Sequence, residues 1–446
     1  MRCLIFVALF AIAFAVGGWK EVSVEDERVV NAAKFATKSL SQRMNSPYHA
    51  KLSSLNKAKR QIVAGVNYEL HITIGYTTCK KSELDYNEVE KCDFQKNSFK
   101  DCKVKLFHNL QGKYEVKHFD CSPTTSDEGV QNSYHEYAEE LLFEDFIARH
   151  NKLYLDDKEK LARFKIFQKN LDKIKFLNDH ERGTARYGVT KFADLTEEEF
   201  KKHALGLRPD LQTNEEMKKA AIPKISIPDS YDWRDQKVVS EVKDQGQCGS
   251  CWAFSTTGNI EGQWAIKKKS LVSLSEQELV DCDKLDQGCN GGLPSNAYKE
   301  IMRLGGLEKE TDYPYEAEGE KCAFKKGEVK VYINDSVTIS KNETEMAQWL
   351  VKNGPISIGI NANAMQFYYG GISHPWKFLC DPGNLDHGVL IVGYGVHTYP
   401  IFKKTLPFWI IKNSWGASWG EQGYYRVYRG DGTCGVNQMA TSAVVD

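Results

Sequence analysis

The 446-residue sequence predicts an α+β protein: two cysteine-bearing blocks joined by a cysteine-free helical arm. Three observations lead there. The apolar residues switch between helical and alternating periodicity along the chain. The cysteines after Cys3 fall into two groups, four from Cys79 to Cys121 and seven from Cys248 to Cys434. Between the groups runs a long charged stretch with helical spacing. Hydrophobic residues make up 41% of the chain, enough for more than one core. The net charge of -1 argues against a general polyanion binder, so no nucleic-acid partner is expected.

The N-terminus reads Met1-Arg2, then apolar from Cys3 to Val16. That run is too short to cross ~30 Å of hydrocarbon as a helix. With Ala13-Phe14-Ala15 it reads as a signal peptide over residues 1–15. No later stretch is apolar enough to span a membrane. Cys3 then leaves with the leader, and eleven cysteines enter an oxidising compartment. Five bridges leave one thiol, either an intermolecular link or a reactive group. Asn334-Asp335-Ser336 and Asn342-Glu343-Thr344 fit the glycosylation pattern.

The first block, residues 17–123, carries Val29, Val30, Ala33, Ala36 and Leu40 at helical spacing. The segment GVNYELHITIGYTTCK then alternates as a strand does. Cys79, Cys92, Cys102 and Cys121 allow three pairings; neighbours in sequence are the local choice. A polar linker follows over 124–136. Residues 137–224 form the arm, whose segment from Tyr137 to Leu177 reads as one long amphipathic run. Within it Glu159, Arg163, Phe167, Asn170, Ile174 and Asn178 recur every three or four residues, a stripe ~100° wide.

The last block, 225–446, holds the chemistry. In Gln245-Gly246-Gln247-Cys248-Gly249-Ser250-Cys251-Trp252, glycines precede an apolar helical run that opens near Cys251. A thiol at a helix N-terminus, beside an imidazolium, has a lowered pKa and is nucleophilic. A redox pair or half a zinc site is the other reading of Cys248 and Cys251. No second cysteine pair or histidine pair completes such a site, so no metal is expected. The nucleophile needs a base and a group to orient it. His387 precedes the strand-like Val389-Leu390-Ile391-Val392, whereas His374 and His397 lie among turn-like or polar residues and are expected to be exposed. Asn413 is the orienting candidate, with Trp415 placed to shield its bond to the imidazole.

At these residues the chain resembles the papain-family cysteine proteases. Their signature is Cys-Gly-Ser/Ala-Cys-Trp/Tyr, with His and Asn far downstream. Here His387 and Asn413 follow Cys251 by 136 and 162 positions, an extended hairpin over Val396 to Pro407 accounting for the late asparagine. The resemblance implies a two-lobed fold, one lobe helical and one β-barrel-like. It implies Cys251 as nucleophile, His387 as general base then acid, Asn413 as orienter, and Gln245 as oxyanion donor with the Cys251 N–H. It pairs Cys248 with Cys289, Cys282 with Cys322, and Cys380 with Cys434. Gly291 and Gly292 should approach the substrate backbone. Leu293, Pro294, Gly359, Gly388 and Met439 should form an uncharged pocket for the second residue before the cut. No exopeptidase-type insertion is visible, so an endopeptidase without cofactor is expected.

The stripe from Glu159 to Asn178, with Gly188-Val189-Thr190-Lys191-Phe192-Ala193-Asp194, resembles the family's inhibitory prosegment. That implies an arm running backward through the cleft, cut near Ile225–Ile227, and loosened by acid through carboxylates such as Asp194. The first block resembles a cystatin: Gln61-Ile62-Val63-Ala64-Gly65 matches its first inhibitory hairpin and Gly17-Gly18 its trunk, which is cut short. The Pro-Trp of the second hairpin is replaced by Leu110-Gln111-Gly112-Lys113. The combination points to the cathepsin F-like subgroup: a monomeric zymogen on the secretory route, lysosomal or extracellular. Its expected partners are protein and peptide substrates, its own prosegment and cystatin-type inhibitors. The alternative is a secreted cystatin-type inhibitor precursor.

Overall fold

The computed structural model describes residues 18–123, 128–399 and 404–446. The chain divides into two compact units, Met1–Asp145 and Phe146–Asp446. The leader assigned to 1–15 and Gly17 lie outside the described residues.

In the first unit five strands form one antiparallel sheet in chain order: β1 (Lys20–Val22), β2 (Tyr48–Val63), β3 (Gly65–Lys80), β4 (Phe94–His108) and β5 (Tyr114–Pro123). Helix α1 (Glu27–Arg43) opens on Asp26, whose carboxylate accepts from the Arg28 N–H. Its apolar face, Val29, Ala32, Ala33, Ala36 and Leu40, is fully buried against Leu70, Ile72, Val104 and Leu106 of the sheet. Each of the larger side chains contributes roughly 1.5–3 kcal/mol. The two bridges are Cys79–Cys92 and Cys102–Cys121, the second joining register partners on β4 and β5. The β2–β3 hairpin turns at Ala64, and Gly65 adopts φ +130. A Cβ there would sit 2.6 Å from the His108 carbonyl, so only glycine fits. Ile62 is exposed just before that turn, and Leu110 caps the β4–β5 hairpin almost fully in solvent.

The segment expected as one amphipathic run is two helices, α2 (Glu128–Arg149) and α3 (Asp157–Asp179). Asn151 takes φ 49 just after α2, and the Asp156 carboxylate caps α3 by accepting from the Glu159 N–H. A left-handed residue followed by a new cap ends one helix and starts another. The polar stretch read as a linker contributes the first turns of α2.

The rest of the second unit follows the arm's β6 (Arg186–Tyr187), α4 (Glu197–Ala204) and β7 (Lys218–Lys219), then β8 (Tyr231–Asp232). The helical layer is α5 (Cys251–Lys268), α6 (Glu276–Cys282) and α7 (Pro294–Leu304). The β lobe contains β9 (Asp335–Thr338), α8 (Glu343–Asn353), β10 (Ile356–Ile360), β11 (Tyr368–Gly370), β12 (Ile372–Ser373), β13 (His387–Tyr399), β14 (Lys404–Lys412), β15 (Tyr424–Tyr428) and β16 (Ala440–Val444). Nine strands make one sheet in the order β12-β15-β14-β13-β10-β16-β9-β7, with β8 against β13. The hairpin expected over 396–407 is the far end of β13 and β14. Trp252, Leu279, Tyr298 and Ile301 fill the helical core, and Ser255 of α5 donates to the Val389 carbonyl of β13. That bond ties the helix bearing the thiol to the strand bearing the histidine. The remaining bridges are Cys248–Cys289, Cys282–Cys322 and Cys380–Cys434.

Candidate active site

Cys251 is the first residue of α5 and the one free cysteine among the described residues. The loop before it is pinned by the Cys248–Cys289 bridge and by the Gly249 N–H donating to the Cys289 carbonyl at 2.9 Å. His387 opens β13. Its Nε2 lies 2.7 Å from Asn413 Oδ1, and its ring stacks on Trp415 at 4.7 Å. The indole therefore lies over the imidazole that bonds the Asn413 amide. Nδ1 is buried and has no protein partner among the described residues, which leaves that nitrogen for the thiol side. The Gly388 N–H points at the Cys251 sulfur, 3.3 Å away. The Gln245 amide is fully buried: its Nε2 donates to the Cys248 carbonyl at 2.9 Å and its Oε1 accepts from Ser414 Oγ at 2.7 Å.

Burial dominates the electrostatics. It pushes the Cys251 thiol up to about 12, against the opposing Gly388 N–H, and the His387 imidazole down to about 4, against its bond to Asn413. With the arm seated this runs against the expectation of a lowered thiol pKa: desolvation outweighs the backbone N–H groups that face the sulfur and favours the neutral form of both groups.

The arm excludes the water. Gly206 and Leu207 donate their N–H groups to the Asp386 carbonyl at 3.2 and 3.1 Å. The Gly206 carbonyl accepts from the Gly292 N–H at 2.9 Å, and the Arg208 N–H donates to the Gly292 carbonyl at 3.0 Å. Leu207 and Gly292 thus pair in parallel. A Cβ on Gly206 would lie 2.0 Å from the Gly249 carbonyl, so the arm passes the Cys251 loop only as glycine. Leu207 fills the pocket over Gly359, beside Leu385 and Met439. Leu293 is buried and Pro294 begins α7. Gly291 takes φ +110.

The stripe holds the arm's own fold. Arg163 reaches Glu199 at 2.8 Å and the Asp194 carbonyl at 3.1 Å. Asn170 donates to the Ala193 and Leu195 carbonyls, and Asn178 to the Ile174 and Tyr187 carbonyls. The Asp194 carboxylate accepts from Lys152 at 2.8 Å and Tyr154 at 3.0 Å. Phe192 and Phe200 pack edge-on against Trp415, whose Nε1 donates to the Ala204 carbonyl.

Ser414, Leu385 and Tyr315, whose hydroxyl donates to the Gln245 carbonyl, were not legible in sequence. Only the neighbourhood of Ser414 to Asn413 and of Leu385 to His387 hinted at the first two; nothing in the sequence pointed to Tyr315. His374 was expected to be exposed and is not: it bonds Asp431 at 2.9 Å and stacks on Tyr428 at 4.0 Å. His397 is exposed as expected. Asn334 and Asn342 are exposed, and Asn342 also caps α8.

Three family models match the chain: papain family cysteine protease over 227–444, cathepsin propeptide inhibitor domain over 143–200, and cystatin domain over 17–111. "Cysteine proteinase 1" of Dictyostelium discoideum is 45% identical over 69% of this chain and 93% of its own. A solved digestive procathepsin L 3 from Tenebrio molitor larval midgut is 35% identical, with TM-score 0.61, covering 69% of this chain and 99% of that one. The chain belongs to the papain family of cysteine proteases. Within it, the chain is 55% identical to Cathepsin F of Drosophila melanogaster and 52% identical to Cathepsin F of Mus musculus. Each match covers 68% of this chain, but only 50% of the Drosophila protein and 65% of the mouse protein. No helix among the described residues is long and apolar enough to cross a membrane.

Proposed function

We propose that the chain is the zymogen of a cysteine endopeptidase, closed by its own arm. The observation that carries this is Gly206 laid against the Cys251 loop while His387 is held by Asn413 and roofed by Trp415. Once the arm leaves, solvent stabilises the charged pair, and the proton moves from Cys251 to His387. The thiolate attacks the scissile carbonyl, and Gln245 with the Cys251 N–H stabilises the oxyanion, about 3 kcal/mol per donor. The C–N bond breaks as His387 gives its proton to the leaving amine, leaving a thioester. Water then attacks the thioester carbonyl as His387 takes its proton; the C–S bond breaks, the acid leaves, and the thiolate–imidazolium pair is restored.

The buried Leu207 supports a preference for Leu, Val or Phe at the second position before the cut. The parallel pairing of the arm with Gly292 supports inhibition by a backward-running segment. Release near Ile225–Ile227, before β8, fits a segment that is only partly covered. The residue pattern supports a secretory route to a lysosome or the exterior, carbohydrate on Asn334 and Asn342, and a monomer that takes protein and peptide substrates. The papain-family match over 227–444 favours this reading over an inhibitor precursor. The cystatin-like unit, with Ile62 and Leu110 exposed at its two hairpin tips, is the element to test for inhibition. Acid treatment of the full chain should release activity on Leu- or Phe-containing dipeptidyl substrates. That activity should vanish in Cys251→Ala; activity surviving the substitution would end this mechanism.

A further inference from the structure

Beneath the backbone that pairs with the arm lie two carboxyls that the mechanism does not use. Asp286 is more than nine-tenths buried. Its Oδ1 accepts from the Leu293 N–H at 3.1 Å and from Asn296 Nδ2 at 3.0 Å. Asp283, at the end of α6, accepts on its Oδ1 from the Leu285 and Asp286 N–H groups. The second oxygen of each carboxyl is buried and finds no donor among the described residues. The Asp286 N–H bond to Asp283 Oδ1, 2.9 Å long, sets the two side chains beside each other, and each carboxyl acts electrostatically on the other. Two ionised carboxylates at contact, without a cation, are strongly unfavourable.

Of the charges that face them, Arg303 attracts Asp283, but it does so while bonded to Glu300. Glu300 on α7 faces Asp283 and adds negative charge, its own carboxylate being tied to Arg303 at 2.8 Å and to the Lys284 N–H. Arg303 turns its Nη2 toward the Cys282 carbonyl, and Arg208 on the arm is paired with Asp210. Burial raises both carboxyls above the ordinary range, Asp286 further than Asp283.

The position is functional. A Cβ on Gly292 would lie 2.7 Å from Asp286 Cβ and Cγ, so the Gly292 backbone rests directly on this side chain. The same residue exchanges both its N–H and its carbonyl with the arm, and Leu293 beside it is buried and expected to wall the specificity pocket. We propose that Asp283 and Asp286 share one proton at neutral pH, and that this pair positions the Gly291–Leu293 backbone for pairing with a peptide substrate. Asp286 is then a positioning residue acting through Gly292 and Leu293. When alkali removes the proton the two carboxylates repel, Leu293 shifts, and substrate binding weakens before chemistry does. The positioning half rests on the peptidase reading; the proton half does not.

Infrared difference spectroscopy on the full chain carrying Cys251→Ala tests the proton without turnover. At about pH 7 the difference between this protein and its Asp286→Asn derivative should contain one protonated-carboxyl band. A difference containing carboxylate bands alone overturns the shared proton. Acid-processed enzyme tests the positioning. Its KM for a Leu-containing dipeptidyl substrate should rise at least about fivefold between about pH 6 and pH 9, with a smaller change in kcat. Asp286→Asn, whose amide donates to Asp283 at every pH, should flatten that rise. A flat KM in the unsubstituted enzyme, or the same rise in Asp286→Asn, overturns it. If Asp286→Asn does not fold, Asp283→Asn carries both measurements, since either amide can donate to the remaining carboxylate.

Discussion

At the scale of single residues, burial in the site favours neutral groups. Cys251 is pushed up to about 12 and His387 down to about 4 by the same burial. Their charged forms should therefore be rare while the arm is seated. Iodoacetamide at neutral pH should alkylate Cys251 at least about 10²-fold more slowly in the precursor than after acid processing; mass spectrometry of the Cys251 peptide reads this, and equal rates would show that the arm does not control the thiol. Asn413 acts on the ring rather than on the substrate. Asn413→Ala should lower kcat/KM by about 10², within the range for positioned acid–base groups. A drop confined to KM would instead place Asn413 in substrate binding.

At the scale of elements, the arm is held by side chains that answer acid differently. Burial raises Glu199, but Arg163 and the Thr196 N–H more than offset this and hold it below the ordinary range; Lys201 does the same for Glu197. A depressed carboxylate stabilises the fold fully above its unfolded pKa of about 4.3, and this stabilisation is lost as pH falls through the lower folded value. Asp386 runs the other way. Burial pushes it up to about 6, so acid relieves its cost and does not loosen the arm. Processing should accelerate as pH falls below about 4.3, and Glu199→Gln should be faster than the unsubstituted chain at neutral pH. Equal rates at pH 7 and about pH 3.5 would remove carboxylate protonation as the trigger. Asp194→Asn should also speed neutral processing, because the charged bonds from Lys152 and Tyr154 that it weakens are worth about 1.5–3 kcal/mol each. Two helices in place of one long run were hidden from sequence. The Asn151 turn and Asp156 cap interrupt a pattern whose apolar spacing continues across them.

At the scale of the whole molecule, the first unit has its own core of α1 against the sheet and two bridges of its own. It should fold as isolated residues 17–123. Replacing Cys102 and Cys121 by alanine should cost it about 3 kcal/mol in urea unfolding, the entropy of freeing a loop of 19 residues. A change below about 1 kcal/mol would mean that β4–β5 pairing alone holds the segment.

The sequence by itself determined which residues are the candidates for the chemistry. A thiol, an imidazole and an amide in specific local contexts, an odd cysteine count and a six-residue stripe are one-dimensional signals. So are the alternation of β3 and the helical spacing of α1. Tertiary structure alone decided how strongly burial disfavours the Cys251 thiolate, the partial covering of His374 and the burial of Asp283 beside Asp286. Each depends on packing that local pattern does not report: the arm over Cys251, Tyr428 and Asp431 around His374, and the Gly292 backbone over Asp286. Local pattern reports which groups are present, and packing sets the dielectric in which they titrate.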